Sequence, residues 1–73
     1  MKLHYYPDTD SLYLDLSNRA SSDSREVAPG VVLDFDSEGQ LVSIDIDRAS
    51  KIADLSRLEA EELPLNRVSV TKR

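Results

Sequence analysis

Apolar and polar residues alternate along two stretches of the chain, and the first of these stretches lies near its start. Leu12, Leu14 and Leu16 are separated by Tyr13 and Asp15. This period of two is typical of a β-strand with one side buried and the other side in water. The pattern therefore predicts a strand whose leucines face the core.

A turn at residues 7–10 is predicted to pair this strand with the N-terminal residues. The segment Pro-Asp-Thr-Asp is rich in residues that form turns. Folding the chain there places Tyr5 opposite Leu12 and Leu3 opposite Leu14, so that one side of the hairpin is apolar. A shift of one residue would turn the leucines towards water, and the hydrophobic pattern therefore specifies the register.

The second alternating stretch, VVLDFDSEGQLVSIDID at residues 31–47, predicts a second hairpin. Glu38-Gly39 is predicted as a two-residue turn, because glycine adopts positive φ readily. One side of this hairpin is then entirely apolar and pairs Phe35 with Val42, Leu33 with Ile44 and Val31 with Ile46. The other side pairs Asp36 with Leu41, Asp34 with Ser43 and Val32 with Asp45. Alternation alone accounts for these acids, without any chemistry.

The remaining segments are predicted to be a loop, a helix and a tail. Residues 17–24 are serine-rich and read as a loop, with Glu26–Ala28 as a lead-in to the next strand. Apolar residues recur at helical spacing in residues 48–63, and Ser56–Glu59 resembles a capping box that would start a second short helix. Residues 64–73 are predicted as a tail or a short edge strand, and both alternatives stay open.

Together these elements predict a single small α+β domain over residues 1–73. Residues 1–47 would form a four-stranded antiparallel sheet made of two β-hairpins. The helical segment at residues 48–63 would pack on the apolar side of the sheet, and residues 64–73 would add the tail or a fifth strand. A chain of 73 residues supports only a modest core, so a partner subunit would add to its stability.

Composition narrows the classes of partner. The net charge of −5 opposes binding to nucleic acid, whose phosphates are also negative, and favours a basic protein. No cysteine is present, which removes disulfides and thiolate chemistry. No apolar run approaches the roughly 20 residues of a membrane span, and no signal peptide is visible. We therefore expect a cytoplasmic protein without a membrane partner.

Two segments carry a resemblance to a known family. YYPDTDSLYLDLS at residues 5–17 and EVAPGVVLDFDSEGQLVSIDIDRAS at residues 26–50 resemble the two sequence patterns of the YuzE-like small proteins, the domain of unknown function family 2283. The likeness supports the hairpin fold and implies a prokaryotic protein. It implies no activity, although an antitoxin-like role is suggested because some members occur beside toxin–antitoxin-like partners. Asp45 and Asp47 depart from the pattern, and the segment after Leu55 is not matched.

The sequence gives only weak support for a catalytic or metal-binding site. Asp34, Asp36 and Asp45 are the alternative ligands for a divalent cation or a small metal-assisted hydrolase, but side chains standing on a flat sheet diverge. His4 is the one histidine and has no predicted nucleophile beside it. No catalytic residue and no cofactor are therefore predicted, and an enzyme is disfavoured.

The outer side of the predicted sheet suggests a contact surface instead. Apolar side chains surrounded by carboxylates are typical of protein interfaces. The predicted module would self-associate as a homodimer or bind another protein through the following residues: Tyr6, Tyr13, Val32, Leu41, Asp15, Asp34, Asp36 and Asp45.

Overall fold

The computed structural model describes residues 1–59 and 61, which form five β-strands and one short helix. In chain order the elements are β1 (Lys2–Tyr6), β2 (Ser11–Asp15), β3 (Asp23–Ala28), β4 (Val31–Phe35), β5 (Leu41–Ile46) and α1 (Ala49–Ile52). The strands form one sheet in the order β1-β2-β5-β4-β3, and every neighbouring pair is antiparallel. The two predicted hairpins, β1-β2 and β4-β5, therefore lie side by side.

The register of the first hairpin is confirmed. Tyr5 lies opposite Leu12, and Leu3 lies opposite Leu14. The chain reverses through residues 7–10, where Asp10 adopts a left-handed backbone conformation with φ of 54°. Aspartate tolerates this conformation better than most residues, because its short polar side chain forms local hydrogen bonds.

The register of the second hairpin is confirmed for most of its length and is wrong near the turn. The predicted pairs of Val31 to Asp34 with residues on β5 are all present. A bulge between Asp34 and Phe35 then pairs Phe35 with Leu41, so the predicted Phe35–Val42 and Asp36–Leu41 pairs do not form.

The cause of this shift is a turn longer than the predicted two residues. The Asp36 N–H donates to the Gln40 carbonyl at 2.8 Å, and the Gly39 N–H donates to the Asp36 carbonyl at 3.1 Å. Ser37, Glu38 and Gly39 thus form a three-residue loop, with Gly39 at φ of 81°. A tight turn followed by a left-handed residue is a common connection of this length.

The fifth strand is β3, in a segment predicted mainly as a loop. All six of its residues are exposed, and it pairs with β4 along one edge of the sheet. Its residues are mostly polar and show no hydrophobic period, so the sequence pattern does not predict a strand here. The strand is held in the sheet by its backbone pairing with β4. The predicted lead-in at Glu26–Ala28 is the end of this strand, and the pairing is irregular there.

The helical segment is much shorter than predicted. Within residues 48–59, only Ala49–Ile52 is helical, and Ser56 does not start a second helix. Its N–H and hydroxyl both donate to an Asp54 carboxylate oxygen, at 3.0 and 2.5 Å. Such local bonds compete with helix formation. The predicted helix end and the tail or edge strand at 64–73 lie outside the described residues.

Among the described residues, the short helix covers only a small part of the apolar side of the sheet. This apolar face is defined by Leu3, Tyr5, Leu12, Leu14, Val31, Leu33, Ile44 and Ile46. Val42 and Ala49 are the buried hydrophobic residues of the described chain. Ile44, in the central strand, is only half-buried, and Ile52 of α1 is 52% exposed. The predicted packing of a longer helix on this face is therefore not found among the described residues.

We predict that Gly39→Ala destabilises the fold by about 1–2 kcal/mol, the usual cost of left-handed backbone for a residue with a Cβ. A Cβ at this position would meet no atom within 4 Å, so backbone conformation is the cause. Gly39→Asn should recover part of the loss. Denaturant unfolding of the three proteins measures both effects, and equal stability of the alanine and glycine forms would contradict the assignment.

Candidate functional site

The sheet has a polar face opposite the apolar one, and it brings most of the predicted contact residues together. Tyr13, Asp45 and Val32 lie side by side on β2, β5 and β4. Asp15 and Asp34 flank Ser43 in the adjacent row, and Tyr6 lies across from Ser11. We define the polar face by these residues together with Lys2 and His4.

Two predicted contact residues are placed differently. Leu41 has Phe35 as its strand partner because of the bulge, and its carbonyl accepts a hydrogen bond from Arg19 Nη2 at 3.4 Å. Asp36 lies beyond the end of β4 and is buried, with its side chain 7% exposed. Asp36 and Leu41 therefore do not lie opposite each other, as the predicted register required.

Asp36 organises the turn between β4 and β5. One carboxylate oxygen accepts the N–H groups of Glu38 and Gln40, each at 2.9 Å. The other oxygen lies 2.7 Å from Nε of Arg19. The pKa of Asp36 is lowered, first by the Gln40 hydrogen bond and then by Glu38 and the nearby Arg19 charge, although burial acts against this. The carboxylate is thus fully engaged in holding the fold.

Asp34 links three neighbouring strands. Its two oxygens accept hydrogen bonds from the hydroxyls of Ser24 on β3 and Ser43 on β5, the latter at 2.7 Å. These bonds, with Ser24 first, lower the pKa of Asp34 despite some burial. Ser43 is 1% exposed, so this contact satisfies a hydroxyl that has no access to water.

Asp45 has the opposite character. Burial raises its pKa, and the charges of Asp47 and Asp34 raise it further. Its side chain borders a shallow groove of about 350 Å³, whose other lining residues are Tyr6, Thr9, Ser11 and Tyr13. In contrast to Asp34 and Asp36, Asp45 has no hydrogen-bond donor and no cationic partner among the described residues.

His4 packs on the aromatic part of the polar face. Its ring meets that of Tyr6 edge-on, with the ring centroids 4.3 Å apart and the planes at 66°. Tyr13 is its partner on β2. Such edge-to-face pairs stabilise by about 0.5–1.5 kcal/mol beyond the area they bury. The contact gives His4 a packing role on this face.

The alternative cation site does not assemble in the described part of the chain. Within residues 1–59 and 61, no three His, Asp or Glu side chains are placed to hold a metal ion together. Asp34 and Asp36 already accept hydrogen bonds on both of their oxygens. Asp45 alone of the three candidate ligands keeps its charge uncompensated, and one carboxylate does not make a divalent-cation site.

Sequence reasoning missed a structural role for Asp10. Its carboxylate accepts the Tyr5 hydroxyl at 2.6 Å, the Ser50 hydroxyl at 2.6 Å and the Ser50 N–H at 3.1 Å. Its carbonyl accepts the Ala49 N–H at 2.8 Å. The Ser50 and Tyr5 bonds lower the pKa of Asp10. The first turn is thereby tied to α1, and an aspartate closing a turn is the sequence signal that could have indicated it.

Comparison with known proteins identifies a family and no activity. A family model described as "Protein of unknown function (DUF2283)" matches residues 2–50, well over half of the chain. Neither the curated proteins nor the solved structures contain a significant match. Among the described residues, no helix has the length and apolar character needed to cross a membrane.

We predict that Asp36→Asn lowers the stability of the fold at neutral pH. An acid with a lowered pKa in the folded state contributes stability above its unfolded pKa, and this contribution is lost as pH falls through the folded pKa. The difference between wild type and variant should therefore shrink in acid. Thermal melts across pH measure it. Glu38→Gln, which removes an exposed charge from the same turn, should leave the melting temperature nearly unchanged.

Asp45→Asn should have the opposite effect and stabilise the fold at neutral pH. The folded-state pKa of Asp45 is raised, so its ionisation costs stability as pH rises from the unfolded towards the folded pKa. In strong acid both states carry the proton, and the gain should vanish. The same melts measure this change, and a variant that is less stable than wild type at neutral pH would contradict the assignment.

Proposed function

We propose that this chain, which belongs to the DUF2283 family of proteins of unknown function, is a cytoplasmic protein-interaction module that self-associates. The observation that carries the proposal is the apolar face, which the described residues cover only in part. A sheet with one apolar side gains stability when a second layer removes that side from water. The second layer we propose is the same face of a second copy.

The exposure of the apolar face is supported at its edge and at its centre. On the edge strand β1, Leu3 is 46% exposed and Tyr5 is 36% exposed. On the inner strands Leu14, Leu33 and Ile44 are only half-buried. Apolar side chains in the middle of a covered sheet are normally removed from water almost completely. This exposure supports the proposal that a second layer covers the sheet.

The chemistry of the face favours an apolar occupant. The face consists of two rows of side chains that run across β1, β2, β5 and β4. These rows contain leucine, isoleucine, valine and one tyrosine, and no charged side chain. A charged surface placed there would lose its hydration without gaining a partner. The positive charge of Arg25 lies at the β3 margin, where its guanidinium covers the Phe35 ring at 4.4 Å. A second copy offers a matching apolar surface bounded in the same way.

The geometry of the face suits a symmetric pair. The four strands that form the apolar face, each about five residues long, span roughly 19 Å by 17 Å, from the usual strand spacing and rise. Each copy therefore offers about 320 Å² of projected area before side-chain relief is added, and two copies give about 650 Å², the scale of a weak or transient interface. Two sheets can stack face to face at about 10 Å. A two-fold axis would make the contact self-complementary.

An antitoxin-like role is a narrower form of this proposal. Its support is the acidic composition, with a net charge of −5, which suits a basic partner protein. The apolar face offers no charge to such a partner, so the basic protein would contact the polar face. Self-association and partner binding would then use opposite sides of the sheet.

The proposal predicts a dimer that Ile44→Asp dissociates. Burying an uncompensated carboxylate costs about 3–5 kcal/mol, and a symmetric dimer would bury two. Leu3→Asp, at the exposed edge of the same face, should weaken association less. Sedimentation equilibrium of the full chain measures the dissociation constants, and circular dichroism checks that each variant keeps its strands.

Val32→Asp is the matched control, because Val32 lies on the polar face next to Asp45. It should leave the dimer intact. A wild-type protein that sediments as a monomer at the highest workable concentration would refute self-association. Equal dissociation by Val32→Asp and Ile44→Asp would refute the assignment of the interface to the apolar face.

A further inference from the structure

The groove on the polar face combines an aromatic wall with a carboxylate. Tyr6 and Tyr13 line it together with Asp45, and the hydroxyl-bearing residues Thr9 and Ser11 complete it. Tyr13 lies directly beside Asp45 on the neighbouring strand. The groove is open to solvent and about 350 Å³ in volume, which is enough for one side chain of a partner. It lies on the opposite side of the sheet from the apolar face.

The surroundings of the groove are acidic. Asp47, whose carboxylate is 3.5 Å from the Ser11 hydroxyl, lies at one end, and Asp34 lies in the row next to Asp45. Glu26 continues the row of Asp45 beyond Val32. Lys2 lies away from the groove, opposite Asp15. The electrostatic potential at the groove therefore favours a cation, and no cationic side chain of the described residues forms an ion pair with Asp45.

Two arginines of the described chain show which contacts this sheet offers to a guanidinium group. Arg25 stacks its guanidinium over the ring of Phe35 at 4.4 Å. Arg19 places Nε 2.7 Å from the carboxylate of Asp36. Arg25 thus contacts a ring and Arg19 a carboxylate, and neither arginine makes both of these contacts. The groove presents both kinds side by side, at Tyr13 and Asp45.

We propose that this groove receives an arginine side chain from a basic partner protein, with the guanidinium stacked on Tyr13 and hydrogen-bonded to Asp45. This inference goes beyond self-association and does not depend on it. Tyr6, on the adjoining strand and held edge-on by His4, forms the second aromatic wall. The hydroxyls of Thr9 and Ser11 provide acceptors for the remaining N–H groups.

A guanidinium fits this groove better than an ammonium group. It is planar and weakly hydrated, so it can lie flat on a ring while its N–H groups point towards a carboxylate in the same plane. An ammonium is a compact and strongly hydrated charge that gains less from a shallow and open site. The single carboxylate also favours an organic cation over a divalent metal ion, which requires several oxygens.

The test is an NMR titration of the full-length chain with an arginine–glycine repeat peptide. The amide resonances of Tyr13 and Asp45 should move and saturate. A citrulline–glycine peptide keeps the shape of the side chain without the charge, and it should produce no saturable shift. A lysine–glycine peptide should bind more weakly than the arginine peptide. These comparisons use the wild-type protein and do not depend on the folding of any variant.

Two substitutions locate the site. Asp45→Asn and Tyr13→Leu should each weaken binding of the arginine peptide by about tenfold, since each removes one of the two proposed contacts. Glu38→Gln removes an exposed charge at the far turn and should change the affinity by less than about twofold, as expected when only long-range attraction is lost.

The proposal is overturned by any of three results. The first is a lysine peptide that binds as tightly as the arginine peptide, which would indicate attraction by charge alone. The second is equal weakening by Glu38→Gln and Asp45→Asn. The third is the absence of a saturable shift at Tyr13 and Asp45 with the arginine peptide. None of these results bears on the oligomeric state, so this proposal and self-association succeed or fail separately.

Discussion

The pairing of β5 with β2 on one side and with β4 on the other is the constraint on which the rest of the structure depends. The β4–β5 ladder forms the second hairpin, and the β2–β5 ladder joins the two hairpins into a single sheet. The hydrogen bonds between Asp10 and α1 add a second link between them. Because few apolar side chains are fully buried, backbone hydrogen bonds carry an unusually large share of the cohesion. Each contributes only about 0.5–1.5 kcal/mol net, so a correct register along the whole of β5 is essential. The alternation of its side chains enforces that register, since a slip of one residue would exchange the two faces.

The aspartates of the alternating stretch are close in sequence and have different physical roles. Asp34 and Asp36 are stabilised as anions by donors that the fold supplies: serine hydroxyls for the first, and turn N–H groups with Arg19 for the second. Asp45 lies on β5 between β2 and β4 and receives no comparable hydrogen bond or ion pair from the described residues, so burial and neighbouring charges dominate its pKa. Fold stability explains the first two carboxylates and leaves the third unexplained. Carboxylates with perturbed pKa values cluster at functional sites.

The predictability of each element follows from the kind of signal its residues carry. Leu12 and Leu14 alternate with polar residues, and their period of two specified the strand, the register and the inward side. β3 has no such period, because a polar edge strand such as Asp23–Ala28 is held by its backbone. The turn was predicted one residue too short, since Glu38-Gly39 fits a two-residue loop equally well until Asp36 is known to cap the N–H groups of Glu38 and Gln40. The prediction of a longer helix is wrong within residues 48–59. The spacing of Leu55 and Leu58 fits a helix, but it carries no information on the local hydrogen bond that Ser56 donates to Asp54. For the site, alternation placed Tyr13, Val32 and Asp45 on one face correctly, but the pairing of β2 with β5 that makes Tyr13 and Asp45 neighbours was left open. The bulge that pairs Leu41 with Phe35 instead of Asp36 has no counterpart in the pattern.

The two faces of the sheet differ in chemistry, because apolar and polar side chains alternate along its strands. The apolar face excludes charged partners because it offers no group to replace their hydration, and the acidic polar face repels other acidic surfaces, including its own copy. A symmetric contact between polar faces would bring like charges together across the axis, whereas a contact between apolar faces keeps the carboxylates of both copies outermost. If both proposals hold, the charge distribution would direct self-association to the apolar face and leave Asp45 within reach of a cationic side chain on the polar face. The period of two that specifies the register would then also separate the two proposed kinds of contact.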